Sequence, residues 1–285
     1  MSSIELVIPA RNKQLGEDFP IRRLLPYMKR RMVGPFIFWD HMGPVELKED
    51  KQLVVLPHPH IGLATITWLF SGKILHRDSL GNEQQIRPGE VNWMTAGKGI
   101  VHSERSLEHG VLEGIQLWLA LPKEKESIEP SFYHCKSDDL PKIKTKDSEI
   151  TVIAGKFENA TSPVPVYSDL FYTSVVLNEQ STLNHKLKHD HQAAIYIIDG
   201  TVEIEGVEYN KYDMIVFNNE FCIQTKLSTA KFMLFGGQGF EEKRHIWWNF
   251  VSSNKEDIEK AKADWKNKKF PKVINEVGLT PLPKE

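Results

Sequence analysis

The chain has 285 residues, with 36 lysines and arginines against 38 aspartates and glutamates, so its formal net charge at pH 7 is −2. It lacks the basic excess that proteins use to bind a phosphate backbone, and we expect no direct nucleic-acid binding. No apolar run approaches the roughly 20 residues needed to cross a bilayer, and the opening MSSIELVIPARNK does not have the pattern of a secretory signal. The sequence therefore predicts a cytoplasmic protein that does not bind membranes.

The length allows two medium-sized domains, each with its own hydrophobic core. We predict an N-terminal domain over 1–130, a linker over 131–148 in a stretch that mixes Pro, Asp and Lys, and a C-terminal domain over 149–285. Cys135 and Cys222 are the only cysteines and lie in or beside different predicted domains, so we expect no disulfide framework. Reduced thiols agree with a cytoplasmic protein.

The N-terminal domain begins with two short predicted strands, IELVI at 4–8 and GPFIFW at 34–39. A basic cluster lies between them, made of Arg22, Arg23, Lys29, Arg30 and Arg31. We interpret it as a solvated face, with a patch for nucleic acid or an acidic partner as the less favoured alternative.

Residues 58–104 contain two pairs of candidate metal ligands. His58 and His60 are two residues apart, and so are His102 and Glu104. Residues two apart in a β-strand project from the same face, so two such pairs on facing strands would bind one ion. Three imidazoles and one carboxylate suit a divalent first-row metal; we predict Fe(II), although Ni, Cu, Mn or Zn could occupy the same ligands. A single histidine would more often be a core residue, but two pairs together favour a metal site.

The strand that carries the first pair is predicted to have one apolar face. That face contains the residues of even number, namely Leu56, His58, His60, Gly62, Ala64, Ile66, Trp68 and Phe70. We expect it to point into the core, while Thr65 and Thr67 point to solvent or to a neighbouring layer. A bulge at Gly62, or at the prolines at 57 and 59, would change this register.

Between the two pairs, Gly81-Asn82 indicates a hairpin turn. His76 lies close to the end of that hairpin, and its only partner at i, i+2 is Asp78, which we expect to cap the turn; we therefore interpret His76 as structural. Trp93 and Met94 either line a pocket for a flat aromatic ligand or belong to the core, and the core is the commoner place for such residues.

The C-terminal domain is predicted to be a second antiparallel barrel, with strands at 150–153, 170–177, 194–198, 201–204, 213–217 and 231–235. It carries His189 and His191, but no second ligand pair follows them, so we predict a metal-free domain. Near the C terminus, Ser253 and Glu256 have capping-box spacing. Ile258, Ala261 and Trp265 then form the apolar face of a predicted helix.

The segments HPHIGLATITWLFSGKILHRDSLG and IRPGEVNWMTAGKGIVHSE resemble the signature of the pirin family, within the cupin superfamily. GPFIFWDHMGP at 34–44 resembles the N-terminal motif of that family, and the last third of the chain resembles its second domain more loosely. The resemblance implies an all-β fold of two tandem antiparallel cupin (jelly-roll-like) β-barrels with a C-terminal α-helix. Cupins usually carry the metal-binding carboxylate soon after His-x-His. Here Ala64 and Thr65 occupy those positions, and Glu104 supplies the carboxylate as in pirins.

The resemblance also implies a function. Pirin-family proteins similar to this chain are associated with opening the heterocyclic ring of quercetin-like flavonols, so the partners would be a flavonol-like aromatic substrate and O2. His58, His60 and His102 would then hold the ion, and Glu104 would be both a ligand and the catalytic general base for the substrate hydroxyl.

Two alternatives stay open. Other family members are described as redox-sensing regulators that contact transcription factors or metabolic enzyme complexes, and this interpretation needs a protein partner but the same four ligands. A third hypothesis is a different cupin reaction on another small molecule.

Overall fold

The computed structural model describes residues 2–15, 19–49 and 51–283. Contacts between residues divide the chain into two compact units, neither of them continuous in sequence. The first unit comprises Asn12–Arg23, Ile37–Ser137 and Glu241–Glu285. The second unit comprises Met1–Arg11, Leu24–Phe36 and Asp138–Phe240.

The chain consists mainly of β-strands. The strands of its first half are β1 Ile4–Ile8, β2 Arg11–Leu15, β3 Phe19–Leu25, β4 Phe36–Leu47, β5 Val54–His60, β6 Leu63–Ser71, β7 Ile74–Asp78, β8 Glu83–Ile86, β9 Val91–Thr95, β10 Ile100–Ser106, β11 Gly110–Ala120 and β12 Ser131–Cys135. Short 3₁₀ turns follow at Lys123–Lys125 and Ser137–Asp139.

The second half continues the pattern and ends in a helix. Its strands are β13 Lys142–Lys144, β14 Ser148–Phe157, β15 Ala160–Thr161, β16 Leu170–Leu177, β17 Thr182–His185, β18 His191–Asp199, β19 Val202–Ile204, β20 Val207–Tyr209, β21 Met214–Phe217, β22 Phe221–Gln224, β23 Ala230–Gln238, β24 His245–Trp247 and β25 Phe250–Ser252. Helix α1 spans Lys255–Lys266.

In the first unit, the described strands form two sheets and a hairpin. The larger sheet has the order β12-β9-β6-β11-β4-β3-β2, the smaller has the order β5-β10-β7-β8, and β24 pairs with β25. The second unit also has a larger and a smaller sheet. The larger has the order β1-β21-β18-β23-β16-β14-β13, with β15 paired to β14, and the smaller has the order β17-β22-β19-β20. Each unit is an antiparallel cupin-type barrel, so the predicted fold class, with its C-terminal helix, is confirmed.

The second unit has the core that its sequence pattern predicted. Its strands bury an apolar cluster that includes Val152, Ile195, Phe217 and Phe232. All six strands predicted between 150 and 235 are present, since short apolar runs bounded by turn residues predict strands without knowledge of their partners.

The structure differs from the predicted domain bounds in three places. Two segments predicted in the N-terminal domain, Met1–Arg11 and Leu24–Phe36, belong to the second unit, where β1 pairs with β21. The segment predicted as a linker, 131–148, contains strands: β12 pairs with β9, and β13 pairs with β14. Its polar composition belongs to edge strands, which keep one side in solvent. The tail from Glu241 onward groups with the first unit, because α1 packs Ile258, Ala261 and Trp265 against Ile61 and Val101.

Helix α1 buries the three apolar residues predicted for it, but its cap differs from the prediction. Asn254 is the N-cap, and its side chain accepts a hydrogen bond from the backbone N–H of Glu256. The Ser253 hydroxyl instead donates to Glu126 at 3.0 Å. The backbone N–H of Ser253 also donates to Glu126, so that carboxylate binds Ser253 just before the helix.

The predicted apolar face does not continue from β5 into β6. Gly62 lies between the two strands at φ +69°, where an added Cβ would lie 1.9 Å from the Val251 carbonyl oxygen. Only glycine fits such a left-handed position, and the face changes there. In β6 the odd residues face the smaller sheet, and Thr67 donates to Glu104. Most even residues of β6 are buried as predicted, and Thr67 faces a neighbouring layer, but the even residues do not share a face with His58 and His60.

Among the described residues, no helix has both the length and the apolar character that crossing a membrane requires. The cytoplasmic location stays a prediction.

Candidate metal centre

Strands β5 and β10 bring three of the predicted ligands together. The strands pair antiparallel with His58 opposite His102, and His60 opposite Ile100. One ring nitrogen of each of His58, His60 and His102 lies within 4.8 Å of those of the other two. The three histidines are 8 %, 1 % and 1 % exposed, respectively.

Backbone acceptors orient two of these rings. His58 Nδ1 donates to the Leu56 carbonyl oxygen at 2.9 Å, and His60 Nδ1 donates to the Asn249 carbonyl oxygen at 3.2 Å. In both rings the proton is therefore on Nδ1 and the lone pair is on Nε2. This tautomer leaves Nε2 free to bind a metal ion. The Leu56 carbonyl oxygen also accepts from the Thr280 hydroxyl at 3.1 Å, so the C-terminal tail supports the His58 site.

The distances and charge states of the rings fit a metal ion. His60 Nε2 and His102 Nε2 are 3.1 Å apart; two nitrogens bound to one ion at about 2.1 Å and at a right angle would be about 3 Å apart. Burial lowers the pKa of His58 to about 4. Burial, and then the charge of neighbouring histidines, holds the pKa values of His60 and His102 well below the ordinary value. The three rings are therefore neutral at pH 7, as ligands must be.

Glu104, the fourth predicted ligand, stands beside this cluster rather than within it. Among the described residues, the 4.8 Å cluster contains the three histidines alone. The Glu104 carboxyl is buried, lines the same cavity and accepts from Thr67 Oγ1 at 3.3 Å. Burial raises its pKa above the ordinary value, and the opposing effects of His76 and of the Thr67 hydrogen bond are smaller. Coordination by Glu104 stays a prediction.

His76 and Asp78 lie behind His102, on β7. Asp78 Oδ1 accepts from the backbone N–H groups of Leu80 and Asn82, so Asp78 caps the turn as predicted. Its Oδ2 lies 3.0 Å from His76 Nε2, and His76 Nδ1 lies 3.3 Å from His102 Nδ1. His76 is therefore joined to the candidate centre through His102, a connection that the sequence did not indicate.

A cavity of about 970 Å³ opens onto the three histidines. Phe38 and Trp118 stack in its wall, with ring centroids 3.9 Å apart and planes 11° apart. The Trp118 ring also meets His60 edge to face at 5.1 Å. Arg23 lies over Phe38, 4.5 Å from its centroid, and forms a bidentate ion pair with Asp40.

The cavity wall decides between the two interpretations of Trp93 and Met94. Trp93 and Met94 are buried in the core and do not line this cavity, so the core alternative is confirmed. The residues that sequence reasoning missed are Phe38 and Trp118. Gln116 was a usable signal, because a polar residue inside the apolar strand β11 indicates that its face, which Trp118 shares, meets something polar.

The histidines of the second unit have other partners. His191 contacts two carboxylates, Asp190 at 2.8 Å and Asp169 at 3.3 Å, while His189 is exposed. A metal-free second unit stays a prediction.

Three inward-facing histidines inside an antiparallel barrel define a cupin-type protein whose centre could bind a metal. Comparison with known proteins agrees. The family model described as "Pirin" matches residues 18–119, and "Pirin C-terminal cupin domain" matches residues 172–271. The chain belongs to the pirin family.

Individual relatives span nearly the whole chain. This chain is 47% identical over 271 residues to a pirin-like protein of Caulobacter vibrioides, and the match covers 92% of this chain and 93% of the relative. It is 38% identical over 261 residues to a Pseudomonas aeruginosa protein provisionally named quercetin 2,3-dioxygenase. This match covers 90% of this chain and 82% of the relative. A crystal structure titled quercetin 2,3-dioxygenase, from Acinetobacter baumannii, superimposes with a TM-score of 0.91 at 35% identity, covering 98% and 95%.

Proposed function

We propose that the protein is a metal-dependent dioxygenase that opens the heterocyclic ring of quercetin-like flavonols with O2. The observation that carries the proposal is the three-histidine centre facing a cavity with an aromatic wall. The names of similar proteins support the substrate class. Among the described residues, we find no feature that favours the regulatory alternative.

The ligands we propose are His58, His60, His102 and Glu104, with Fe(II) as the working ion and Ni, Cu, Mn or Zn as competitors for the same donors. The rings fit such an ion because they are neutral, buried and directed toward one another. A bound ion would supply Lewis-acid polarisation of the substrate oxygens and redox access to O2.

The cavity wall would bind and orient the substrate. A flavonol is aromatic, and the rings of Phe38 and Trp118 line the cavity beside His60, where they would contact the substrate rings. The cavity volume lies within the usual range of small-molecule sites, about 300–1,000 Å³. Seating the rings there would displace water from the centre and place the hydroxyl-bearing edge toward the histidines.

Glu104 would accept the proton of the substrate hydroxyl. Its carboxyl lies in the same cavity, and burial raises its pKa, which makes it a better proton acceptor than an exposed glutamate. The Thr67 hydroxyl, which also lies 2.8 Å from Gln116 Oε1, would hold the carboxyl in position by donating to it at 3.3 Å.

The test is turnover of quercetin by iron-loaded protein in air, followed by flavonol absorbance and by O2 consumption. We expect one O2 to be consumed per flavonol, with His102→Ala inactive because it loses the ion. Trp118→Leu should keep its metal and raise KM, because it removes an aromatic ring from the wall. A fully iron-loaded wild-type protein that consumes neither compound would contradict the proposal.

A further inference from the structure

A line of buried side chains leads away from the candidate centre through His102. His102 Nε2 faces His60 Nε2 at 3.1 Å, and its other nitrogen, Nδ1, faces His76 Nδ1 at 3.3 Å. His76 Nε2 in turn faces Asp78 Oδ2 at 3.0 Å. All of these side chains are buried, so water does not compete for the contacts.

With a neutral His76 ring, the directions of these hydrogen bonds follow from the carboxylate of Asp78. A neutral imidazole carries one N–H, and an ionised carboxylate can only accept. If Asp78 accepts from His76 Nε2, then His76 Nδ1 has a lone pair and must accept from His102 Nδ1. The remaining lone pair of His102 is then on Nε2, directed at the centre. The lone pairs of His60 Nε2 and His102 Nε2 then face each other at 3.1 Å, an arrangement that a bound cation would stabilise. The opposite tautomer of His102 would direct an N–H at the centre and place lone pairs of His102 and His76 opposite each other.

The end of the line at Asp78 is held in place. Asp78 Oδ1 accepts from two backbone N–H groups in the turn after β7, and the Asn82 side chain donates to both of its oxygens. These donors keep the carboxylate in place as an acceptor. The His76 ring is held as well, because it stacks on Phe132 with centroids 4.4 Å apart and planes 19° apart.

We propose that His76 and Asp78 are positioning residues for the metal centre: they hold His102 in the tautomer and orientation whose Nε2 lone pair meets those of His58 and His60. Strand pairing supports this arrangement, since Asp78 lies opposite His102 across the β7–β10 ladder. The inference rests on the metal centre proposed above. It does not require the flavonol reaction.

The test compares two replacements of similar size. In His76→Gln, the amide can still donate to Asp78 and accept from His102, whereas His76→Met removes both functions. The measured quantity is the affinity of the metal-free protein for Co²⁺ in a competition titration. Loss of a group that orients a metal ligand typically weakens binding by about 10–100-fold; we expect that loss in His76→Met and near-wild-type affinity in His76→Gln.

Proton NMR of the cobalt-loaded proteins gives a second readout. Ring N–H protons of histidines bound to Co²⁺ appear as strongly shifted, exchangeable signals, one for each ligand. In His76→Met, the His102 signal should exchange rapidly or shift, while the His58 and His60 signals stay, since their acceptors are backbone carbonyls. Equal affinity and equal spectra for wild type and His76→Met would overturn the proposal, and so would equal losses in His76→Gln and His76→Met.

Thermal unfolding of the metal-free proteins controls for misfolding. If His76→Met does not fold, Asp78→Asn is used in its place. Asparagine keeps the oxygen that caps the turn but presents an N–H to His76. We expect the same loss of Co²⁺ affinity in Asp78→Asn. Wild-type affinity in Asp78→Asn would overturn the proposal. Tight metal binding without quercetin turnover in wild type would contradict only the proposed reaction, whereas an active enzyme with normal affinity in His76→Met would contradict only the positioning of His102.

Discussion

The Thr67 hydroxyl lies 3.3 Å from Glu104 Oε1 and 2.8 Å from Gln116 Oε1, so one buried proton donor faces two acceptors. While Glu104 is ionised, Thr67 can donate to it. When Glu104 is protonated, the Thr67 oxygen can accept from the carboxyl while its own proton stays on Gln116. Both protonation states of Glu104 therefore find a partner, as a group that accepts and releases a proton requires.

Glu104→Gln tests whether this carboxyl moves a proton. The amide oxygen can still coordinate weakly, so some metal should remain, but the amide cannot accept the substrate proton. We expect quercetin turnover per bound metal to fall by about 10²–10⁴-fold, the usual contribution of a general base. The pH profile should also lose the limb that belongs to the base.

Thr67→Val is the matched control, since it keeps the shape of Thr67 and leaves the carboxyl in place. It should reduce turnover per bound metal much less than Glu104→Gln does. Equal turnover per bound metal in wild type and Glu104→Gln would make Glu104 at most a ligand.

Metal content should depend on the first unit alone. Elemental analysis of the wild-type protein should give about one equivalent per chain, and His60→Ala should lose most of it, because it removes one of three converging ligands. His191→Ala is the control: its ring contacts Asp190 and Asp169, and metal content should not change. Two equivalents in wild type, one of them lost in His191→Ala, would disprove the prediction.

The metal-free protein should lose stability as pH falls below about 6.5. Burial lowers the pKa of His58 to about 4, so between pH 6.5 and 4 the unfolded chain binds a proton that the folded chain does not. The free energy of unfolding therefore rises with pH across this window, by about 3 kcal/mol from His58 alone. Urea denaturation of the metal-free protein at several pH values measures the slope. His58→Asn cannot titrate, so a slope as steep as in the wild type would assign the effect to other groups.

Gly62→Ala should destabilise the first unit strongly. Gly62 lies at φ +69°, and an added Cβ would overlap the Val251 carbonyl oxygen at 1.9 Å. The left-handed conformation costs about 1 kcal/mol for alanine, and the backbone displacement adds about 1–3 kcal/mol. Gly81→Ala is the control, because Gly81 has φ +89° but no atom within 4 Å of the added Cβ. Equal losses of unfolding free energy in the two variants would contradict the role given to Val251.

Local patterns in the sequence were sufficient for the strands predicted between 150 and 235, for helix α1 and for the histidines that meet. His58, His60 and His102 could be assigned to one site because spacing by two residues determines the face of a strand, and the structure brings their rings together. The buried face of α1 followed from its helical period in the same way. Whether these histidines bind a metal stays a prediction.

Only the tertiary structure decided what surrounds the histidines. Gly62 reverses the face between β5 and β6, so Thr67 contacts Glu104. The tail returns to the first barrel, where the Thr280 hydroxyl donates to the Leu56 carbonyl across a sequence separation of 224 residues. Phe38 and Trp118 stack because β4 and β11 are neighbours in one sheet. These contacts join residues far apart in the chain, and hydrophobic periodicity carries information only about the face of each element, not about the element that it meets.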